Sequence, residues 1–295
     1  MTVVTESGKA ARHTPEVSQR RLWITAAQVG FAAAVILAWG VASGRIVSSA
    51  WVSDPVSVAR RIVEWVTGGF IYPHLWATVK NALLGLVVGV GLGVLCGLVL
   101  GRLTTAARVL DPFILALYSI PQIAMFPFFV LWLGIGNGPK LALVISLVFF
   151  PLYFNTIVGV RATDRDLVAA VRVMGASRLQ LMRYAIIPSL GAYVTAGIAV
   201  AVPLALLGAI LGDMLLGSKG LGFVIVNASN TYDSTGVLAG AVIVMLLGLL
   251  SVQLIARRGV LFMWRDRRSR AAHRALLESA AATANSGAPA PPTAR

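Results

Sequence analysis

Charge is the scarcest property of this 295-residue chain: only 12% of its residues are Asp, Glu, Lys or Arg, where a soluble domain carries about 25%. That shortfall excludes an ordinary water-soluble globule. Cysteine is nearly absent too. Cys96 stands alone among glycines and leucines, so no intramolecular disulfide can staple the fold, and the residue reads as a small buried hydrophobe. The three histidines, His13, His74 and His273, read as loop or tail residues. Metal-ligand spacing, paired carboxylates and a hydrolase elbow are all missing. So is a GxxxxGK[ST] phosphate loop, since GSKG at 217–220 lacks the first glycine at the required distance. The chain is therefore expected to have no catalytic residues, no metal and no cofactor of its own.

Apolar residues fill the space that charge vacates. They make up 58% of the chain, and mean hydropathy is +0.83. A bilayer crossing needs roughly 20 consecutive apolar residues. Six charge-free intervals meet that test: Leu22–Gly44, Asn81–Gly101, Pro112–Pro139, Leu141–Val160, Tyr184–Gly212 and Val237–Ala256. In lipid each must be helical, because an isolated strand cannot satisfy its backbone there. The expected fold class is all-α: a polytopic membrane protein of about six transmembrane helices embedded in the lipid bilayer. The third and fifth intervals exceed a simple span, so part of each is expected to be cap or loop.

The basic residues set the orientation. Segments 1–21, 102–111, 161–183 and 257–295 hold 4, 2, 5 and 8 of them, 19 of the 25. By the positive-inside rule these segments are cytoplasmic and both termini lie inside. The same rule accounts for the net charge of +14 with no nucleic-acid partner. The chain divides into a basic N-terminal tail (1–21), a membrane domain (22–256) and a basic, partly disordered C-terminal tail (257–295) ending APAPPTAR. The first apolar run has 23 residues, too long for a cleaved signal core of about 7–15, and is read as a retained helix.

Several local patterns stand out. Gly85, Gly89, Gly93, Gly97 and Gly101 recur every four residues and draw a smooth groove down one helix face, where another backbone can come close. A sliding, pore-adjacent seam is the functional reading and tight helix packing the simpler one. In the external segment 45–75, Asp54 is placed to cap a helix that Pro55 begins. Val56, Ala59, Ile62, Val63 and Val66 then share one face, Arg60, Arg61 and Glu64 the other, as in a helix lying on the membrane surface, with an Arg60–Glu64 pair. Pro121 and Pro127 interrupt the third span. No Asp, Glu, Lys, Arg or His falls inside any of these intervals, which argues against proton coupling. Ser119, Gln122, Asn155 and Thr156 supply the uncharged polarity and are candidates to line a solute pathway.

The polar segment 161–188, RATDRDLVAAVRVMGASRLQLMRYAIIP, reads as a helix-turn-helix. Asp164 or Asp166 can cap a helix through Met174, Gly175 suits the left-handed position that ends it, and Ser177 with Gln180 forms a capping box for a second short helix. Pro188 begins the fifth span. Its Ala169-Ala170, Gly175 and Ile187-Pro188 resemble the EAA loop of inner-membrane permease subunits in ATP-binding-cassette importers. IPQIAMFPFFVLWLGIGNGPK, FFPLYFNTIVGV, WVSDPVSV and GDMLLGSKGLGFVI are similar to the nitrate/sulfonate/taurine branch of that family, over roughly residues 50–255. Two positions depart from the pattern. The family's glutamate falls at Ala169 and its third position at Val171, and Asp213 stands where the branch commonly has glutamate.

The resemblance implies a type I ABC importer permease-like fold in the bacterial inner membrane. It implies alternating access driven by separate cytoplasmic ABC ATPase subunits that bind the ATP, an external solute-binding protein, and a second permease copy. The loop residues it assigns to ATPase coupling are Asp166, Ala169, Ala170, Gly175, Ala176, Ser177, Arg178, Ile187 and Pro188. The solute it implies is a small organic anion, sulfonate-, taurine- or nitrate-like, or a vitamin-precursor heterocycle. A self-contained channel or facilitator, and a membrane scaffold, are the rival readings. Neither has a use for a capped helix-turn-helix at 164–188.

Overall fold

A computed structural model describes residues 16–45 and 51–255; most of both tails, with His13 and His273, lies outside the described residues. The helices are α1 (Glu16–Ala42), α2 (Pro55–Thr67), α3 (Ile71–Arg102), α4 (Thr104–Ser119), α5 (Phe126–Leu133), α6 (Asn137–Arg161), α7 (Arg165–Val173), α8 (Arg178–Leu181), α9 (Ile187–Leu216) and α10 (Leu221–Asn230). The last, α11, spans Ser234–Ile255. Among the described residues five segments are long and apolar enough to cross a membrane, six if the pair α4–α5, bent by 85°, counts as one span.

The glycine row explains why α3 and α6 pack as they do. Gly85, Gly89, Gly93, Gly97 and Gly101 are all buried. They face Val144, Val148, Leu152, Thr156 and Val160 in turn, so a knob at every fourth residue of α6 meets a gap at every fourth residue of α3. A Cβ added at Gly93 would stand 2.7 Å from both Leu152 Cβ and the Phe149 carbonyl oxygen, inside any tolerable contact. Residue numbers rise together along this seam, so α3 and α6 run parallel. The chain between them must therefore return across the membrane, and the bent α4–α5 pair is that return. On its other side α6 meets α9 antiparallel, with Gly208 against Val144, Gly197 against Leu152 and Gly212 against Lys140. Val144, Val148, Leu152, Ala201, Ala205 and Ala209 form the core between them.

The third apolar interval differs from its sequence expectation. Its helix starts at Thr104, takes in Asp111, and stops at Ser119. Pro121 is the cause: the residue before a proline is pushed out of the helical region, and Ile120 is extended at φ −71°, ψ 127°. The second short helix expected after Ser177 is not separate either. It passes through a π turn, Met182–Ile186, straight into α9. The wider turn lies where Pro188 has no N–H to give and its ring crowds the preceding turn.

In α2, Asp54 caps the helix by accepting from Val56 N (3.0 Å) and Ser57 N (2.9 Å). Hydrogen bonds from Ser57 hold its carboxyl below the ordinary value. The partner of Glu64 is Arg61, three residues away at 3.7 Å, and not Arg60. Arg61 faces inward, where Asp233 just before α11 also takes it. Val56, Val63 and Val66 point away from the rest of the chain, and Val58 is the buried residue.

Candidate functional site

The loop between α6 and α9 is built from local hydrogen bonds. Asp164 accepts from Asp166 N at 2.8 Å and starts α7. The far end is a Schellman closure: Gly175 N donates to the Arg172 carbonyl (2.9 Å) and Ala176 N to the Val171 carbonyl (3.4 Å). Gly175 sits at φ +77°, which a β-branched residue tolerates poorly. Ser177 N donates to Gln180 Oε1 (2.7 Å) and Gln180 N to Ser177 Oγ (3.3 Å), a reciprocal capping box. Asp166, Ala169, Ala170, Gly175 and Ser177 are all exposed, Ala176 is half-buried, and Ile187 and Pro188 lie exposed at the start of α9. Arg178 opens α8.

The loop also presents residues that sequence reasoning passed over. Val173, Met174 and Leu179 are 89%, 85% and 74% exposed. Three apolar side chains thus lie open around one turn, beside the exposed Ala169 and Ala170. Their signal was available as apolar residues in an otherwise polar segment.

At the opposite end of α6 lies a buried polar cluster that the sequence reading did not foresee. Lys140 and Asp213 were read as flanking residues that bound their spans. Instead α6 begins at Asn137 and α9 continues to Leu216, so both lie within helices. Lys140 Nζ donates to Asp213 Oδ1 at 3.0 Å, with side chains 6% and 0% exposed. Thr78 Oγ1 donates to Asp213 Oδ2 (2.6 Å) and accepts from Leu221 N (2.8 Å). His74 is likewise in α3 rather than a loop, and its Nδ1 accepts from Gly220 N at 3.2 Å. Gly220, at φ +123°, wraps so closely that any Cβ there would collide with the Asp213 carboxylate. The cluster ties α3, α6 and α9 to the start of α10. The other end of α6 is held by Arg161–Asp111 at 3.2 Å, with Tyr153 Oη 3.5 Å from the same carboxylate.

Of the four candidate pathway residues, Ser119 and Gln122 flank the α4–α5 bend and Asn155 and Thr156 lie in α6. Ser119 Oγ donates to the Leu115 carbonyl (2.8 Å), and Gln122 Nε2 to the carbonyls of Ile120 (3.2 Å) and Leu117 (3.4 Å). Both serve the backbone around the α4–α5 bend; Ser119 is exposed and Gln122 half-buried. Asn155 Nδ2 donates to the Pro151 carbonyl at 2.8 Å and lies beside Gly197. Thr156 is fully buried against Gly97, and among the described residues its Oγ1 finds no partner. Among the described residues there is also no group of three or more His, Cys, Asp or Glu able to hold a metal ion.

A family model described as the binding-protein-dependent transport system inner membrane component matches residues 89–258. The putative aliphatic sulfonates transport permease protein SsuC of Bacillus subtilis is 30% identical over 238 residues, covering 79% of this chain and 86% of that one. The formylaminopyrimidine transport permease protein ThiX of Halalkalibacterium halodurans is 30% identical over 79% of this chain and 93% of its own. The taurine transport system permease protein TauC of Escherichia coli is 28% identical over 77% and 84%. Among solved structures, an inward-facing MetNI methionine ABC transporter aligns with TM-score 0.55 and 19% identity over 62% of this chain and 92% of that chain. An amino acid ABC transporter aligns with TM-score 0.54 and 18% identity over 72% and 98%. These two likenesses carry the fold alone.

Proposed function

The chain belongs to the family of binding-protein-dependent transport system inner membrane components, the membrane-embedded permease subunits of ABC importers, and on that premise we propose that its 161–188 loop is the surface an ATPase grips. The observation that carries this is the loop itself: two capped helices around Gly175, with Ala169, Ala170, Val173, Met174 and Leu179 open to a partner. The family's glutamate position holds Ala169, so this docking relies on apolar contact and shape more than on that polar bond. Because α8 runs through the π turn into α9 without a break, a pull on the loop moves a membrane-spanning helix directly. ATP is bound by the partner subunit alone. Both termini face the cytoplasm, and a second copy of the chain encloses the path with the first.

The solute is a small organic anion or a heterocyclic vitamin precursor. The support is the solutes for which its relatives are named: aliphatic sulfonates, formylaminopyrimidine and taurine. Lys140, the cation buried within α6, is neutralised by Asp213, so it offers an anion no free charge. Selectivity then resides mainly in the external binding protein. The test is reconstitution in liposomes with a partner ABC ATPase and an external solute-binding protein. ATP-dependent uptake that is lost in Gly175→Val, together with ATPase binding, is the expected result. Normal binding and uptake in that variant would remove the proposal.

A further inference from the structure

At the end of α3 where Arg102 stands, the fold leaves a groove of about 710 Å³ between α3 and the α7–α8 turn. Its walls are of two kinds. Leu95, Leu98 and Val99 come from the last turns of the membrane-spanning helix, whereas Arg102 and Arg172 sit at its rim. Leu95 and Arg102 are seven residues apart, about 10 Å along a helix, which is the step from acyl depth to headgroup depth. A second groove, of about 650 Å³, opens on the other side of Arg102 against Val109 and Leu110 of α4. One guanidinium therefore stands between two apolar channels.

The two arginines are uncommitted. Among the described residues the ion pairs are Arg61 with Glu64 and Asp233, Lys140 with Asp213, and Arg161 with Asp111. Asp164, which caps α7, and Asp166 within it pair with neither Arg102 nor Arg172. Guanidinium groups bind phosphate bidentately, and unpaired ones at the edge of an apolar span draw acidic lipid. We propose that this site holds an anionic phospholipid, with its phosphate between Arg102 and Arg172 and its acyl chains in the grooves flanking Arg102. Free phosphate has no use for the apolar walls, and a zwitterionic headgroup brings its own cation against the two arginines. The lipid would sit between α3 and the α7–α8 turn, in a groove that the exposed Val173 and Met174 do not line, and brace the coupling loop against α3. The leaflet it occupies rests on the orientation proposed above; the binding does not.

The test uses the full chain assembled with its ATPase, stripped of endogenous lipid and offered phosphatidylglycerol and phosphatidylcholine in equal amounts, with binding read by native mass spectrometry. Two juxtamembrane arginines predict a preference for phosphatidylglycerol of about 30-fold. Arg102→Gln with Arg172→Gln abolishes the preference, and Arg183→Gln, an exposed arginine outside the groove, keeps it. Val99→Trp, which fills the groove with the charge unchanged, also loses the lipid and answers the question if the double variant fails to assemble. The proposal is overturned by equal binding of the two lipids, by a preference that survives the double substitution or Val99→Trp, by displacement with inorganic phosphate, or by expulsion of the lipid when the ATPase docks.

Discussion

Replacing Lys140 with Met isolates the energetic role of the buried pair. The Nζ to Oδ1 distance is 3.0 Å and both side chains are sealed from solvent, so no discount for screening by water applies. At an effective dielectric of about 20, two unit charges at that distance attract by about 5 kcal/mol. Bringing them out of water costs a similar amount, so the pair is nearly neutral against an apolar replacement, and breaking it is not. Lys140→Met leaves the Asp213 carboxylate buried with only Thr78 to donate to it, and Asp213→Asn leaves an unpaired ammonium. Each single change is expected to destabilise by about 3–5 kcal/mol. For a chain of this size that is roughly 6–20 °C in apparent melting temperature. The double variant Lys140→Met with Asp213→Asn should recover most of the loss, because no uncompensated charge remains. The assay is thermal unfolding of the purified chain in detergent, across all four members of the cycle. If the singles melt like the parent, or the double melts no higher than the worse single, the pair does not couple and the reasoning fails.

Other expectations follow from packing and from charge. Gly93→Ala places a methyl against Leu152 and the Phe149 carbonyl, so overpacking should cost about 1–3 kcal/mol, read as a lower melting temperature. Ala at the exposed Gly91, where nothing lies within 4 Å, should not lower it. Thr156→Val keeps the shape and removes an unpartnered buried hydroxyl, so the same melting assay should show no loss, and a gain of about 1 kcal/mol is within reach. At Asp233 burial alone would raise the pKa, but hydrogen bonds from Gly236 and Arg61 outweigh it and hold the group below its ordinary 3.8. A depressed carboxylate stabilises above the unfolded value and loses that contribution as pH falls through the folded one. The α2–α11 contact should therefore hold at neutral pH and loosen only below about pH 4. Arg61→Gln should weaken that acid dependence, measured by proteolysis around α2 in an acid series.

The fold was legible where a pattern repeats over many residues. Apolar runs located the spans, and the four-residue glycine period marked the α3 face that meets α6. Asp54, Gly175 and the Ser177–Gln180 pair could be read because capping is local chemistry, decided within about four residues. What depended on distant partners was not legible. Lys140 and Asp213 are 73 residues apart, and each alone looks like the end of a span. Only the packing of α6 on α9 shows that they neutralise each other inside the fold. His74 was misplaced for the same reason, since its partner Gly220 is 146 residues away. The bend at Ile120 could be anticipated from Pro121, but its size depends on how α5 packs on α6. Polarity within a span pointed to Ser119, Gln122, Asn155 and Thr156 as lining residues. Ser119 and Asn155 bond carbonyls of their own helices and Gln122 those of Leu117 and Ile120 before it, a local option that polarity alone does not reveal.

The central claim is that an ATPase seats on the 161–188 loop. A chain carrying Met174→Cys, with Cys96→Ser to remove the native thiol, should form a thiol-directed cross-link to the ATPase in the assembled importer, and Leu83→Cys, on the exposed flank of α3, should not. That adduct is expected at Met174, with uptake blocked once it forms. An importer that transports normally but gives no adduct at Met174, or gives equal adducts at both positions, would contradict it.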